Sequence, residues 1–329
     1  MGMSLYPLLL LPEFHERVWG ARDISLIYPH KSARQGSEKP IGEVWLTGDD
    51  CRVSNGPLAG QTLQDVTRRF GRELLGAAAA DHSRFPLLLK VLFPKEKLSV
   101  QVHPDDDGAR ARGQSCGKTE CWYVLAAEPD AQVAIGFKSD IARSEVESAI
   151  ADNSLETLLN WVNVKPGEMI YVEAGTVHAI GPGAILVETQ QNSDTTYRLY
   201  DYGRGRELHV HDGLAAMKQY PHMGKVARRE SNGASNLVSS PCFVVDKFVL
   251  RELKNVPALV GKTSVQVLVG LDGCGVIEAD GMPPVTFSKG EAVILPATVR
   301  EYRLRPQWAL ECLRVSLPGE AMAHPQTTL

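Results

Sequence analysis

Cysteine is sparse in this chain and follows no pattern. Its six cysteines, at positions 51, 116, 121, 242, 274 and 312, include no C-x-x-C pair. That excludes a disulfide framework and a thiolate zinc knuckle, and it suits a reducing cytoplasm. Long apolar runs are missing as well. The opening run from Tyr6 to Pro12 falls far short of the roughly 20 residues of a spanning helix, no basic segment precedes it as in a secretory signal, and Tyr6 breaks the myristoylation pattern that Gly2 would begin. Positive charge is not in excess either: the net charge is -4, which gives no global pull toward nucleic acid or anionic lipid. No G-x-G-x-x-G after a strand, Walker A sequence or G-x-S-x-G elbow occurs, so dinucleotide, nucleoside triphosphate and serine-hydrolase chemistry are excluded. The expected partner is a small molecule, with no nucleic acid and no membrane, for a cytoplasmic monomer or weak homo-oligomer.

Glycine and proline are plentiful. The 29 Gly and 20 Pro among 329 residues punctuate many short runs of Val, Ile, Leu, Tyr and Phe, the pattern of antiparallel strands joined by turns. Strands are predicted at Ile41 to Thr47, Pro86 to Phe93, Leu98 to His103, Cys121 to Leu125, Met169 to Val172, Ala184 to Thr189 and Tyr197 to Tyr202. Helices are fewer: Thr62 to Leu75 and Ser144 to Ala151 each open at capping-box spacing, and Asp212 is placed as the cap of a short helix to Tyr220. A polar, small-residue stretch from Gly224 to Pro241 marks a domain boundary. Beyond it, runs at Phe243 to Arg251, Val265 to Val269, Gly275 to Glu278, Ala292 to Leu295 and Ala309 to Val315, with turns at Gly273, Gly281 and Gly290, predict a smaller β-domain. The chain is thus read as mainly β, with one domain over 1–235, carrying helical insertions near 60–80 and 140–163, and a second over 240–329.

Candidate chemistry lies in the first domain. In Lys97-Leu98-Ser99-Val100-Gln101-Val102-His103, alternation turns Ser99, Gln101 and His103 to one face and Val100 and Val102 to the other. A loop then leads to Lys118-Thr119-Glu120-Cys121-Trp122, which puts Lys118, Glu120 and Trp122 on a common face. A buried Glu among apolar neighbours requires a cation. Later, a strand from Met169 to Val172, a turn at Gly175 and His178 follow in order. His209 and His211, two apart, lack a carboxylate or Cys pattern to complete a metal pair and read as a surface strand end; Tyr197, Tyr200 and Tyr202 read as core or pocket wall, as do Trp45 and Trp122.

The Gly167-to-His178 segment resembles the second motif of the cupin family, in which a strand, a tight Gly turn and a following His supply a metal ligand; Glu173 stands where that motif has Pro. Gly290 to Ala297 resembles the same motif without its histidine, so the resemblance implies two cupin-type (jelly-roll) β-barrel domains, the C-terminal one metal-free, with a few short helices. Phe85 to Leu92, Leu98 to Asp105, Lys118 to Glu120, Ala174 to Ile180 and Asn192 to Arg204 together resemble the type I mannose-6-phosphate isomerases, with weaker matches at Val18-Trp19-Gly20 and Gly42 to Trp45. The short stretch between Glu120 and His178 leaves little room for the helical domain that long members insert, so the chain is similar to the short bacterial form. The resemblance implies interconversion of mannose 6-phosphate and fructose 6-phosphate through an enediol, at one divalent metal ion held by Gln101, His103, Glu120 and His178. Two imidazoles, a carboxylate and an amide oxygen suit Zn²⁺, with Mn²⁺, Fe²⁺ and Co²⁺ as alternatives. It brings Lys118, Glu188, Asp194 and Arg198 into view as catalytic residues without choosing the base. Ser99, with charge from Lys90, Arg198 or Arg204, is placed at the phosphate. The rival readings are another metal-dependent cupin sugar isomerase or oxygenase, and a non-catalytic sugar-binding cupin.

Overall fold

Short β-branched runs between glycine and proline turns build sheets, and sheets dominate the structure. The computed structural model describes residues 4–31, 39–219, 229–231, 234–251, 259–260 and 264–319. Among these the chain forms twenty strands and four α-helices. The contacts divide it into two compact units that interleave along the sequence: Phe14–Val44 with Leu89–Val226, and Met1–Glu13 with Trp45–Leu88 and Ala227–Leu329. A single cut near 235–240 does not reproduce this division.

The first unit holds two antiparallel sheets. One runs, by neighbours, through Glu13–Ala21, Ile41–Trp45, Leu87–Leu92, Ala184–Gln191, Glu120–Ala127 and Met169–Val172; the other through Tyr197–Tyr200, Val100–Val102, His178–Ile180, Gln132–Phe137 and Leu159–Asn163. A core between them takes Trp122, Val124, Ile170 and Leu186 from the six-stranded sheet and Val133, Ile135 and Ile180 from the five-stranded one. The five-stranded sheet buries its other face too. Val100, Val102, Ala134, Ala179 and Leu199 pack there with Val146 and Ile150 of the helix Arg143–Ala151 and Leu214 of the helix Val210–Ala216. Strand alternation therefore sends Val100 and Val102 outward and Gln101 into the space between sheets.

The second unit is built on a nine-stranded sheet. Its runs read from sequence at Val265 to Val269 and Gly275 to Glu278 are one strand, Gln266–Glu278, with register shifts beside Gly270 and Gly273. Gly273 serves as a bulge and not a turn: its φ is +72°, and an added Cβ would lie 2.0 Å from the Ala309 carbonyl oxygen. The stretch read as a linker differs from expectation where it is described. Arg229–Ser231 and Ala234–Ser239 pair as a hairpin, and the latter pairs with Val244–Leu250; a polar strand at a sheet margin leaves no apolar run for a sequence pattern to catch. Residues 224–228 and 232–233 of that linker lie outside the described residues.

Helices follow the sequence in part. Thr62 caps Leu63–Leu75 as read, its hydroxyl accepting from Asp65 N at 3.1 Å. The second helix starts at Arg143, one residue early, and the expected helical stretch to 163 yields a short 3-10 turn, Leu155–Leu158, and then a strand. Asp212 lies inside its helix, not at its cap, paired with Arg112 at 2.9 Å; Tyr220 is outside the described residues. His209 precedes that helix, so the pair His209 and His211 sits at a helix start and not at a strand end.

Candidate metal centre

The centre is assembled by register. Gln101 is the Cα partner of both His178 and Arg198, and directly opposed residues share a sheet face. Arg198, Gln101 and His178 thus form one row along the inner face of the five-stranded sheet. Across the core, Glu120 opens its strand opposite Gln190 and Val172. His103 follows the end of the Val100–Val102 strand and is 1% exposed. The turn before His178 closes with Gly175 at φ +86°, its N–H donating to the His103 carbonyl at 2.8 Å. Glu173, in the place of the motif's proline, is held by Lys218 Nζ at 2.6 Å.

Both imidazoles are oriented from behind. His103 Nδ1 donates to the Thr195 carbonyl at 2.8 Å, and His178 Nδ1 to the Thr176 carbonyl at 2.9 Å. Carbonyls only accept, so each Nδ1 carries the proton and each Nε2 turns a lone pair inward. Those atoms meet Glu120: His103 Nε2 lies 3.5 Å from Oε2 and His178 Nε2 3.4 Å from Oε1. The Gln101 amide stands 3.2 Å from His178 Nε2. Lys118 Nζ completes the cluster, 3.1 Å from His103 Nε2 and 3.2 Å from Glu120 Oε2.

This donor set fits a cation. Glu120 is fully buried, and among the described residues neither carboxylate oxygen has a hydrogen-bond partner, while the Lys118 ammonium stands 3.2 Å from Oε2 as an ion pair. His103, Glu120 and His178 can offer three ligand atoms lying within 4.8 Å of one another. Burial, reinforced by Glu188 and opposed by Lys118 and Lys90, pushes the Glu120 carboxyl up to about 7. Burial, with help from Lys118, brings His178 down to about 4, and burial with Lys118 and His178 holds His103 well below its usual value. Two neutral imidazoles and a carboxyl reluctant to ionise are what a site made for a divalent ion looks like without its charge.

Beside this cluster runs a line of alternating charges. Arg17 forks onto Glu43, with Nε to Oε1 at 3.1 Å and the terminal nitrogen to Oε2 at 3.0 Å. Lys90 Nζ lies 4.0 Å from Glu43 Oε2 and 3.2 Å from Glu188 Oε2. Trp122 Nε1 donates to Glu188 Oε1 at 3.2 Å. Burial alone would lower the Lys90 ammonium, but Glu188, Glu43 and Glu120 outweigh it and hold it above its ordinary value.

Of the remaining predicted residues, Ser99 and Arg198 adjoin Gln101. Ser99 is buried and donates to the Gln101 amide oxygen at 3.3 Å. Arg198 donates to the Glu207 carbonyl at 3.1 Å, while its Nε is buried without a hydrogen-bond partner among the described residues; burial, with Arg206 and Arg204, lowers its pKa against Asp201 and Glu207. Asp194 is exposed on the turn after the Ala184–Gln191 strand. Arg204 is held by Asp201 at 3.1 Å. Nothing local in the sequence signals Arg17 or Glu43 as part of the site, or the Thr176 and Thr195 carbonyls.

The family described as phosphomannose isomerase type I, catalytic domain, matches residues 8–152. The chain is 34% identical over 319 residues to the mannose-6-phosphate isomerase ManA of Bacillus subtilis (strain 168), covering 92% of this chain and 96% of that protein. It is 32% identical to a mannose-6-phosphate isomerase of Streptococcus mutans, covering 90% and 94% respectively. Among solved structures it is similar to the mannose 6-phosphate isomerase from Bacillus subtilis, with a TM-score of 0.81 at 30% identity over 95% of this chain and 99% of that one. A mutant phosphomannose isomerase from Salmonella typhimurium, at 17% identity and a TM-score of 0.77 over 94% of this chain and 99% of that one, shares the fold.

Proposed function

The chain belongs to the type I mannose-6-phosphate isomerases, metal-dependent aldose-ketose isomerases, and from that premise we propose that Gln101, His103, Glu120 and His178 hold its ion and that the ion is zinc. The observation that carries this reading is the buried Glu120 carboxylate, short of hydrogen bonds and faced by two imidazole lone pairs. A site with two nitrogen donors, a carboxylate and an amide oxygen suits zinc, which would supply Lewis-acid stabilisation of charge developing on the sugar oxygens.

The reaction interconverts mannose 6-phosphate and fructose 6-phosphate. It moves a proton between C2 and C1 and another between the two oxygens, through an enediol. Glu188 is assigned the carbon proton: it is buried, and its two oxygens are each fixed by one donor, leaving lone pairs on both for the substrate. Lys118 and Arg198, cationic and on the inner faces of the centre, stabilise negative charge at the C1 and C2 oxygens. Asp194, exposed beyond the Ala184–Gln191 strand, is assigned assistance in opening the pyranose ring. Ser99 is assigned to the phosphate. The same proposal gives catalysis to the unit of Phe14–Val44 and Leu89–Val226 and treats the unit of Met1–Glu13, Trp45–Leu88 and Ala227–Leu329 as metal-free and cupin-like, in a cytoplasmic enzyme; all six thiols are free, in keeping with a reducing compartment.

The test is a coupled assay of mannose 6-phosphate conversion on purified protein, before and after chelation, with zinc or manganese returned. Activity that chelation removes and metal restores supports the reading. Full activity in thoroughly stripped protein sinks the assigned metal.

A further inference from the structure

Five side chains on successive strands of the six-stranded sheet join into one line. In sheet order, Glu13–Ala21 brings Arg17, Ile41–Trp45 brings Glu43, Leu87–Leu92 brings Lys90, Ala184–Gln191 brings Glu188 and Glu120–Ala127 brings Trp122. Charge alternates along the first four, and side-chain exposure falls from 33% at Arg17 and 14% at Glu43 to 5% at Lys90 and 6% at Glu188. Apolar side chains of the same size would fill such a row at lower cost, because burying ion pairs rarely gains net stability. Their charge is therefore placed for a purpose other than holding the sheet together.

We infer that Arg17, Glu43 and Lys90 form a positioning ladder for Glu188, in which Lys90 orients the reacting carboxylate and is not a ligand of the substrate phosphate. The inference rests on the assignment of Glu188 as the base. The geometry argues it at both ends. Glu188 receives one donor per oxygen, Trp122 Nε1 on Oε1 and Lys90 Nζ on Oε2, each at 3.2 Å, and two donors on different oxygens fix the plane of a carboxylate. Lys90 Nζ also has Glu43 Oε2 at 4.0 Å, and the two oxygens of Glu43 are pinned by the planar Arg17 fork. With a carboxylate on each side, Lys90 has no unbalanced charge to offer a phosphate. A phosphate that captured its ammonium would strip Glu188 of its counter-ion and strand a buried carboxylate, which is costly.

Steady-state kinetics of Lys90→Met, Lys90→Arg, Glu43→Gln and Glu188→Gln on metal-loaded enzyme test this, with the inhibition constant of inorganic phosphate and bound metal measured alongside. The ladder requires Lys90→Met to lower kcat by about 100-fold, in the range a positioned general base contributes. KM and the phosphate inhibition constant should move less than about threefold, as expected when a group acts only on the transition state, and metal content should stay at the parent level. Lys90→Arg should recover part of the loss. Glu43→Gln keeps the shape of the partly exposed end and should lower kcat about tenfold with the same split; it decides the matter if Lys90→Met fails to fold. A rise of about tenfold or more in KM and in the phosphate constant with kcat retained overturns the ladder and makes Lys90 a phosphate ligand. Undiminished turnover in Glu188→Gln removes the base and with it the ladder's purpose. A collapse there, with full turnover in Lys90→Met, keeps the base and overturns the ladder alone.

Discussion

Glu120 and the two imidazoles that face it set what the site can do. Replacing His103 or Glu120 by Ala should strip the metal and lower activity by at least about 100-fold, because a structured ligand set with one member gone rarely retains its ion; metal content per chain and the isomerase assay check it, and full activity in either variant contradicts the roles given. Arg198→Ala should act differently, lowering kcat about 100-fold with KM changed only a few-fold, since its charge is matched to the transition state. The pH dependence follows from Glu120. Its metal-free carboxyl is raised to about 7 by burial, so the folded apoprotein holds that proton more tightly than the unfolded chain. The group's contribution to apoprotein stability is therefore present below the ordinary carboxylate range and is lost as pH rises through about 7. A metal entering below that pH must displace the proton; above it, none is released from Glu120, and the two depressed imidazoles contribute none in either range. Calorimetric titration of metal into apoprotein at about pH 6 and about pH 8.5, in buffers of different ionisation heat, should show proton release only at the lower pH, and equal release at both contradicts it. At this scale the sequence was informative where chemistry follows the local period: Gln101 and His103 two apart, Glu120 at a strand start, His178 after a Gly turn. Arg17, Glu43 and the fixed state of Lys90 were illegible as a line, because they meet only through strands that lie far apart in the chain.

Among the elements, the Gly175 turn does most to place a ligand. An added Cβ there would meet the Ala216 carbonyl oxygen at 3.0 Å, on a backbone with φ +86°. Gly175→Ala should cost about 1–2 kcal/mol of stability and weaken metal binding, since the Gly175 N–H holds the His103 carbonyl; chemical denaturation of the apoprotein and a metal titration measure the two effects. The Met169–Val172 and Ala292–Leu295 strands fall where alternation and flanking turns put them. Others escaped. The His178–Ile180 strand is three residues long, too short for any period to register, and the Gln266–Glu278 strand is cut in two in the sequence pattern because Gly273 reads as a turn when it serves a bulge. The loop from Pro104 to Thr119 hid a five-residue helix, Asp106–Arg110, capped by Asp105, below the length at which helical periodicity is visible.

For the molecule as a whole, the mainly β class was readable from the rhythm of short apolar runs and turns, and no helix among the described residues is long and apolar enough to cross a membrane. The interleaving of the two units was not readable, since pairing between the first strand and one near the end leaves no local mark. Leu8–Leu10 pairs with Ala292–Leu295, so a fragment ending at residue 235 would leave Leu8 and Leu10, both buried, without their sheet. Such a fragment should fail to show a cooperative thermal transition, and a stable, active 1–235 fragment would contradict the division into interleaved units. The most direct test of the central claim is an anomalous difference map from crystals of the zinc-loaded protein. The account predicts one peak about 2.0–2.2 Å from His103 Nε2, His178 Nε2 and a Glu120 oxygen, with the Gln101 amide oxygen turned toward it. A peak elsewhere, or none at these residues in enzyme that is fully active, would contradict it.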